Sequence, residues 1–443
     1  MADGASQITM SQLKSYSAKD QLAHPAISSG SYKKLTKNRK VAVNHPAVFS
    51  DELDMKAPVT DQKGTGRCWI FAGLNMMRHN MVERYNNTKI ELSASYVFFY
   101  DQLEKCNWFL ESVLRTVDDE ADSTLVRHMF REPLSDGGQW DMFAAVVEKY
   151  GVVPKEAYPE THHSEGTWEL SGLLKKRMRE NGMRLRKSHR AGASIEELRA
   201  QKQAMVEEAH RILAIMMGTP PDRVTWSFYD KDDKLHVYPD ITPLEFYREH
   251  AGVNCSDIVS LVDDPRNKYY ELLEVDYLGN VVDGPAVRYI NVPVEDIKRY
   301  AIKVLKAGRP VWFGCDVEQS LLNSEGLMAL DAYNLSAAFD IEATMTKRER
   351  LQYGESTITH AMVITGVHLE DGKSVRWRIE NSWGSKAGDG GYYTMTDEWF
   401  SEFVYQISIE KRDIPDAVLR VLDQQPVTLP PWDPLGALLC GQK

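Results

Sequence analysis

Two alternating runs flank the dipeptide Asp371-Gly372: Thr-Ile-Thr-His-Ala-Met-Val-Ile-Thr-Gly-Val over 357–367 and Ser-Val-Arg-Trp-Arg-Ile-Glu-Asn over 374–381. Asp-Gly supplies the positive-φ pair of a tight turn, so the two runs read as an antiparallel β-hairpin. Within the second run Val375, Trp377, Ile379 and Asn381 share one face, and Arg376, Arg378 and Glu380 take the other. A turn on positions 371 and 372 makes paired positions sum to about 743. His360 is therefore expected opposite a residue near 383, diagonal to Asn381 and within reach of its side chain.

Upstream, Cys68, Ile70, Leu74, Met77 and Met81 fall at helical spacing behind an entry loop that carries Gly64 and Gly66. Further helical patterns cover 96–103, 110–117 and 140–149, the last ending at Tyr150-Gly151. The stretch 168–217 is rich in Lys, Arg, Glu, Ala and Met and is stopped by Pro220-Pro221. It reads as a largely helical insertion that runs on into a mixed region with short strands. Helical spacing returns at Ile297, Ala301, Val304 and Leu305, Gly308 closes it, and 310–316 reads as a buried strand. Residues 1 to about 55 are polar with little periodicity and read as an arm wrapping a folded body. The expected class is α+β.

The chain of 443 residues is 43% hydrophobic and 26% charged, which suits two or three compact regions around real cores. With 53 Lys and Arg against 64 Asp and Glu, the net charge of −11 makes the whole chain a poor polyanion binder. One local exception is the run Lys175, Lys176, Arg177, Arg179, Arg184, Arg186, Lys187 and Arg190, opposed only by Glu180. It reads as a solvated helix face, or as a positive stretch that steers acidic peptides or binds nucleic acid without sequence preference. The first thirty residues hold no apolar run long enough for a signal-peptide core or a membrane helix, so a cytoplasmic protein without membrane association is expected. Five scattered cysteines with no C-x-x-C pair suggest neither disulfides nor a zinc site, and no metal or cofactor is expected.

Taken singly, Cys68 reads as a buried thiol, His360 as a core histidine and Asn381 as a turn residue. Together they read as chemistry. Cys68 opens a helix, where the macrodipole favours a thiolate, and an imidazolium beside it favours that form further. The carboxamide oxygen of Asn381 would accept from one ring nitrogen of His360 and leave the other facing the thiol. Gln62, six positions before Cys68, can aim its amide at a developing oxyanion alongside the backbone N–H of Cys68. Trp383 is placed to shield the His360–Asn381 hydrogen bond from water.

Gln62-Lys63-Gly64-Thr65-Gly66-Arg67-Cys68-Trp69, Thr359-His360-Ala361 and Glu380-Asn381-Ser382-Trp383-Gly384 resemble the three signature segments of papain-like cysteine proteases. Asp136-Gly137-Gly138 resembles the stretch whose backbone pairs with substrate there, and Tyr150-Gly151-Val152 with Tyr158-Pro159 resembles the segment that follows. The separation between Cys68 and His360 is 292 residues, about twice the ~130–150 of papain and the cathepsins. That excess, with the missing secretory and disulfide features, resembles the branch of the superfamily that includes bleomycin hydrolase and aminopeptidase C.

The resemblance implies a papain-like two-lobed core over nearly the whole chain: an N-terminal arm or hook (1–55), an α lobe with the catalytic cysteine (56–160), a mostly helical insertion (161–290), a β lobe with the histidine and asparagine (291–430) and a C-terminal arm reaching toward the cleft (431–443). It implies Cys68, His360, Asn381 and Gln62 as catalytic residues, Gly137, Gly138 and Trp69 as substrate-binding, and Trp383 as the shield. It also implies a homohexamer and a cysteine aminopeptidase that forms a thioester on peptides or amides with a free N-terminus. The readings left beside it are a nucleic-acid-binding scaffold with secondary protease activity and an endopeptidase on the same triad. Within the branch the C-terminal arm stops soon after its Gly-Ala-Leu, whereas here Leu439, Cys440, Gly441, Gln442 and Lys443 follow.

Overall fold

The structure is a computed structural model that describes residues 8, 13, 17–53 and 57–436. The tail from 437 onward, Cys440 included, lies outside the described residues. The hairpin forms as the sequence dictates: strands His360–Glu370 and Lys373–Glu380 pair antiparallel about Asp371 and Gly372, whose φ values are +49° and +79°. Val363 faces Glu380 and Glu370 faces Lys373, as the register sum requires. Between them two irregularities shift it by one residue.

This hairpin is the middle of a large sheet. On the outer side of His360–Glu370 lie Val311–Cys315, Val404–Glu410, Ile258–Val262, Arg288–Asn291, Leu272–Val275 and Val427–Leu429, in that order. On the outer side of Lys373–Glu380 lie Tyr392–Thr396, Leu327–Met328 and Leu321–Leu322. The pairing that fixes His360 in space is with Cys315 on the neighbouring strand, Cα opposite Cα. Three strands thus come from 258–291, the stretch read as the end of the helical insertion. Their near-continuous burial, complete for Ile258–Val262, gives them to the sheet.

The helix Cys68–Tyr85 packs across the His360–Glu370 strand and is buried along most of its length, from Cys68 and Trp69 through Arg78. Around it Trp69, Phe98, Trp140 and Phe143 join one apolar core, while Phe313, Ile364, Trp377 and Trp399 belong to another beneath the sheet. The two helical patterns at 96–103 and 110–117 are one helix, Ala94–Arg115, because Gln102, Glu104 and Lys105 between them are themselves buried and paired. Trp140–Tyr150 ends at Gly151 with φ +75°. The insertion contains an antiparallel helix pair, Trp168–Arg190 and Ile195–Met217, followed by the hairpin Val224–Tyr229 and Leu235–Ile241.

Among its described residues the arm has three short helices, Ala18–Ser28, Tyr32–Thr36 and Arg39–Asn44, which its weak periodicity conceals. It is held to the far edge of the sheet by Lys19–Asp340 and Lys37–Glu325 ion pairs and by Asn38, whose backbone N–H donates to the Ala332 carbonyl. Near its end the short strand Asp51–Glu52 pairs antiparallel with His360–Glu370.

Candidate active site

The loop before Cys68 is stitched to the end of the Asn381 strand. Gln62 N–H donates to the Ser382 carbonyl at 2.8 Å, and Gly384 N–H donates to the Thr60 carbonyl at 3.0 Å. Ser382 Oγ then donates to Gln62 Oε1 at 2.6 Å. Residues 320 apart in sequence are thereby fixed side by side, and the two halves of the site meet along this seam.

At the seam Asn381 Oδ1 accepts from the Ser382 backbone N–H at 2.8 Å and lies 2.9 Å from His360 Nε2. A backbone N–H can only donate, so the atom facing it is the carboxamide oxygen, and His360 Nε2 must carry the proton in that hydrogen bond. Nδ1 is then the nitrogen left for proton transfer. The Trp383 ring lies over His360, centroid to centroid 4.7 Å and tilted by 33°, which covers the bond from solvent. His360 and Asn381 are buried to 2% and 1% exposure.

Cys68 is the first residue of Cys68–Tyr85, behind Arg67 at the N-cap. Its Sγ accepts from the backbone N–H of Ala361 at 3.4 Å, so the residue after the histidine contacts the thiol directly. A backbone donor and the positive helix end both favour a sulfur anion there. Gln62 Nε2 donates one hydrogen to the Thr65 carbonyl at 2.7 Å, which orients the amide; its second hydrogen remains to be given elsewhere.

Trp69 is fully buried, and its indole N–H donates to the Asp136 carbonyl at 2.8 Å. Gly138 lies against that ring so closely that a Cβ would stand 2.8 Å from Trp69 Cε2, which leaves room for glycine alone. Lys105 Nζ pins the same loop by donating to the carbonyls of Ser135 and Gly137, each at 2.7 Å. The segment 135–138 is thus held firm beside the start of the helix Cys68–Tyr85.

The C-terminal arm enters from the same side. Leu435 is fully buried, and its carbonyl accepts from Gln139 Nε2 and from the Tyr289 hydroxyl, both at 3.1 Å. Thr357 Oγ1, three residues before His360, donates to the Pro434 carbonyl at 2.9 Å. Asp433 holds Arg266 at 2.8 Å.

Three groups at the site escaped the sequence reading. Ser382 is inside a quoted motif yet was given no role. Arg67 is fully buried, bound to Glu160 at 3.0 and 3.1 Å, and stacked on Phe71 and Phe98; nothing local to Arg67 signals a partner 93 residues away. Glu380, on the strand face opposite that of Asn381, is buried at 2% exposure, with the charge of Arg78 from the helix Cys68–Tyr85 acting on it. The remaining described cysteines, Cys106, Cys255 and Cys315, are buried, and burial raises each thiol's pKa, which keeps them protonated and unreactive. In the basic run, Arg177 pairs with Glu180 and Glu208, Lys175 with Glu132, Arg179 donates to the Phe130 and Arg131 carbonyls, and Arg186 to those of Thr116 and Asp119.

Known proteins are similar to this chain over most of its length. Bleomycin hydrolase of Mus musculus is 44% identical over 391 residues, 86% of each chain. Aminopeptidase C of Lactobacillus helveticus is 39% identical over 421 residues, 94% of this chain and 93% of its own. The crystal structure of PepW from Lactobacillus rhamnosis HN001 superposes with a TM-score of 0.92 at 42% identity, covering 94% of both chains. The expected α+β, papain-like architecture is borne out. The model of the Peptidase C1-like family matches residues 7–436, and this chain belongs to that family.

Proposed function

We propose that the chain is a cytoplasmic cysteine aminopeptidase that removes N-terminal residues from peptides and hydrolyses related amides. The observation that carries this reading is the double use of Asn381 Oδ1, which accepts from Ser382 N–H and His360 Nε2 and so turns His360 Nδ1 toward chemistry. Cys68 attacks the carbonyl of the substrate's first residue as a thiolate. The oxyanion is met by the Cys68 backbone N–H and the remaining N–H of Gln62. His360 protonates the leaving amine as the C–N bond breaks, and a thioester remains on Cys68. A water that gives its proton to His360 then attacks the thioester, releasing the amino acid and restoring the thiolate–imidazolium pair. Trp383 shields the orienting bond, and Gly137 and Gly138 border the substrate's path; Trp69, expected to bind substrate, is fully buried and instead braces Gly138 from beneath.

Two features support attack at a free N-terminus in preference to an internal bond. The relatives bear the names bleomycin hydrolase and aminopeptidase C. The C-terminal arm is tied to Gln139, beside Gly138, and to Thr357, beside His360, so it approaches the site from both halves. The polyanion reading is weaker, since Lys175, Arg177, Arg179 and Arg186 are already engaged by this chain's own acids and carbonyls. Among the described residues no helix is long and apolar enough to cross a membrane.

The test is hydrolysis of an amino-acyl fluorogenic amide beside the same amide with its amino group acetylated. The free amine should be cleaved, the blocked one refused, and Cys68→Ala should abolish turnover while its circular dichroism matches the parent's. Turnover by Cys68→Ala would reject the nucleophile; equal cleavage of both amides would reassign the enzyme as an endopeptidase.

A further inference from the structure

Beside the loop that carries Gln62 and Cys68, a second cluster gathers metal-binding side chains that the proposed reaction does not use. His162 and His163 belong to the short helix His162–Glu165, and Glu169 to the first turn of Trp168–Arg190, on the other side of Gly166. One ligand atom from each of the three residues lies within 4.8 Å of the other two. His163 Nδ1 is 3.5 Å from Glu169 Oε2, close to the ~3.3 Å edge of a tetrahedron built on ~2.0 Å metal bonds. That nitrogen is buried as an atom and has no hydrogen-bond partner among the described residues, a costly position that a metal would relieve. The two imidazoles stand edge to face, with centroids 5.1 Å apart and planes at 77°.

We propose that His162, His163 and Glu169 bind a single Zn2+ ion, with water in the fourth position. Two imidazole nitrogens and a carboxylate suit a borderline-soft first-row ion, and they suit Ca2+ or Mg2+ poorly, since those ions take oxygen ligands. His162 and Glu169 are exposed, which opens the site to solvent and lets their side chains close the remaining distance. The cysteine pattern, which suggested no zinc, is silent about this site because its ligands are adjacent histidines and an acid seven and six positions on.

Binding has a structural consequence at the active site. The ion joins the short helix to the next helix across Gly166, and this same turn holds the catalytic loop: Gly64 N–H donates to the Glu165 carbonyl at 3.1 Å, and Gly64 and Gly166 form a β-bridge. Glu160, just before the cluster, binds both Ser164 and the buried Arg67 at the N-cap of the nucleophile's helix. The bound ion should therefore raise the melting temperature by favouring the folded state.

Cobalt is the probe, because tetrahedral Co2+ absorbs in the visible and reports its own ligands. The full chain carrying Cys68→Ala, stripped with a chelator, removes the catalytic thiol as a competing ligand. One equivalent of CoCl2 should develop the tetrahedral bands and raise the melting temperature, and ZnCl2 should displace it. His163→Ala and Glu169→Gln, each in that background, should weaken cobalt binding roughly tenfold or more. The metal-free melts of the variants should match the parent's; His162→Ala, at an exposed position, replaces any variant that fails this check. Bands of unchanged amplitude and midpoint in the folded variants, or no bands with millimolar cobalt, would overturn the proposal.

Discussion

Asn381 does two jobs with one oxygen. By accepting from Ser382 N–H as well as from His360, it is held in place by the backbone even when the imidazole swings, so the ring returns to one orientation after each proton transfer. Loss of the ring removes the base itself; loss of the carboxamide only lets the base wander. His360→Ala should therefore lower kcat by about 10,000-fold or more and Asn381→Ala by roughly 100-fold, measured with an amino-acyl fluorogenic amide at saturating substrate. Equal losses would make Asn381 a packing residue. Ser382→Ala keeps the backbone donor to Asn381 but removes the hydroxyl that holds Gln62 Oε1, so its effect reports on the oxyanion side of the site.

Two carboxyls at the ends of elements hold their protons more tightly than free ones. Burial pushes Asp141, in the first turn of Trp140–Tyr150, up to about 7, although a hydrogen bond from Ser260 pulls the other way. Burial likewise pushes Glu380, the last residue of its strand, up to about 7 against the pull of Arg78 and Arg378. A carboxyl that keeps its proton in the native state binds more protons than the unfolded chain between roughly pH 4 and pH 7, so stability falls as pH rises across that window and levels off above it. Urea unfolding at pH 5 and pH 8 should show Asp141→Asn gaining on the parent at the higher pH by a few kcal/mol, that is on the order of ~2–4. A difference independent of pH would mean that Asp141 is ionised in the fold. At this scale the hairpin about Asp371-Gly372 and the helix behind Cys68 were legible, because local turn chemistry and apolar spacing determine them. The proposed catalytic set could be picked out for the same reason, each member being inside a short motif. The buried strand expected at 310–316 is present as Val311–Cys315, but the short strands Leu272–Val275, Leu321–Leu322 and Leu327–Met328 were not legible, being two to four residues long and owing their form to distant partners. Within the basic run, Arg186 donates to the carbonyl of Thr116, where another helix ends, a partner that the local sequence does not reveal.

For the molecule as a whole, the arm is the part least explained by its own packing. Ala18–Ser28 buries no residue, and Leu22 and Val43 are 81% and 80% exposed. Exposed apolar side chains on an arm held at the sheet edge suit contact with further copies of this chain, in keeping with the homohexamer proposed from the resemblance. Native mass spectrometry of the full chain should give a mass six times that of the denatured protein, and deletion of 1–45 should release monomers that keep the fold. A monomeric full chain at micromolar concentration would remove the hexamer.

The seam between Thr60–Gln62 and Ser382–Gly384 has one more effect. Since backbone bonds join the catalytic halves there, the long excursion between them is not what keeps them together. A protease that nicks the exposed link at Gly192, between the paired helices, would leave two fragments still clasped and still competent, so the enzyme can tolerate scission that would dismember a chain built as beads on a string.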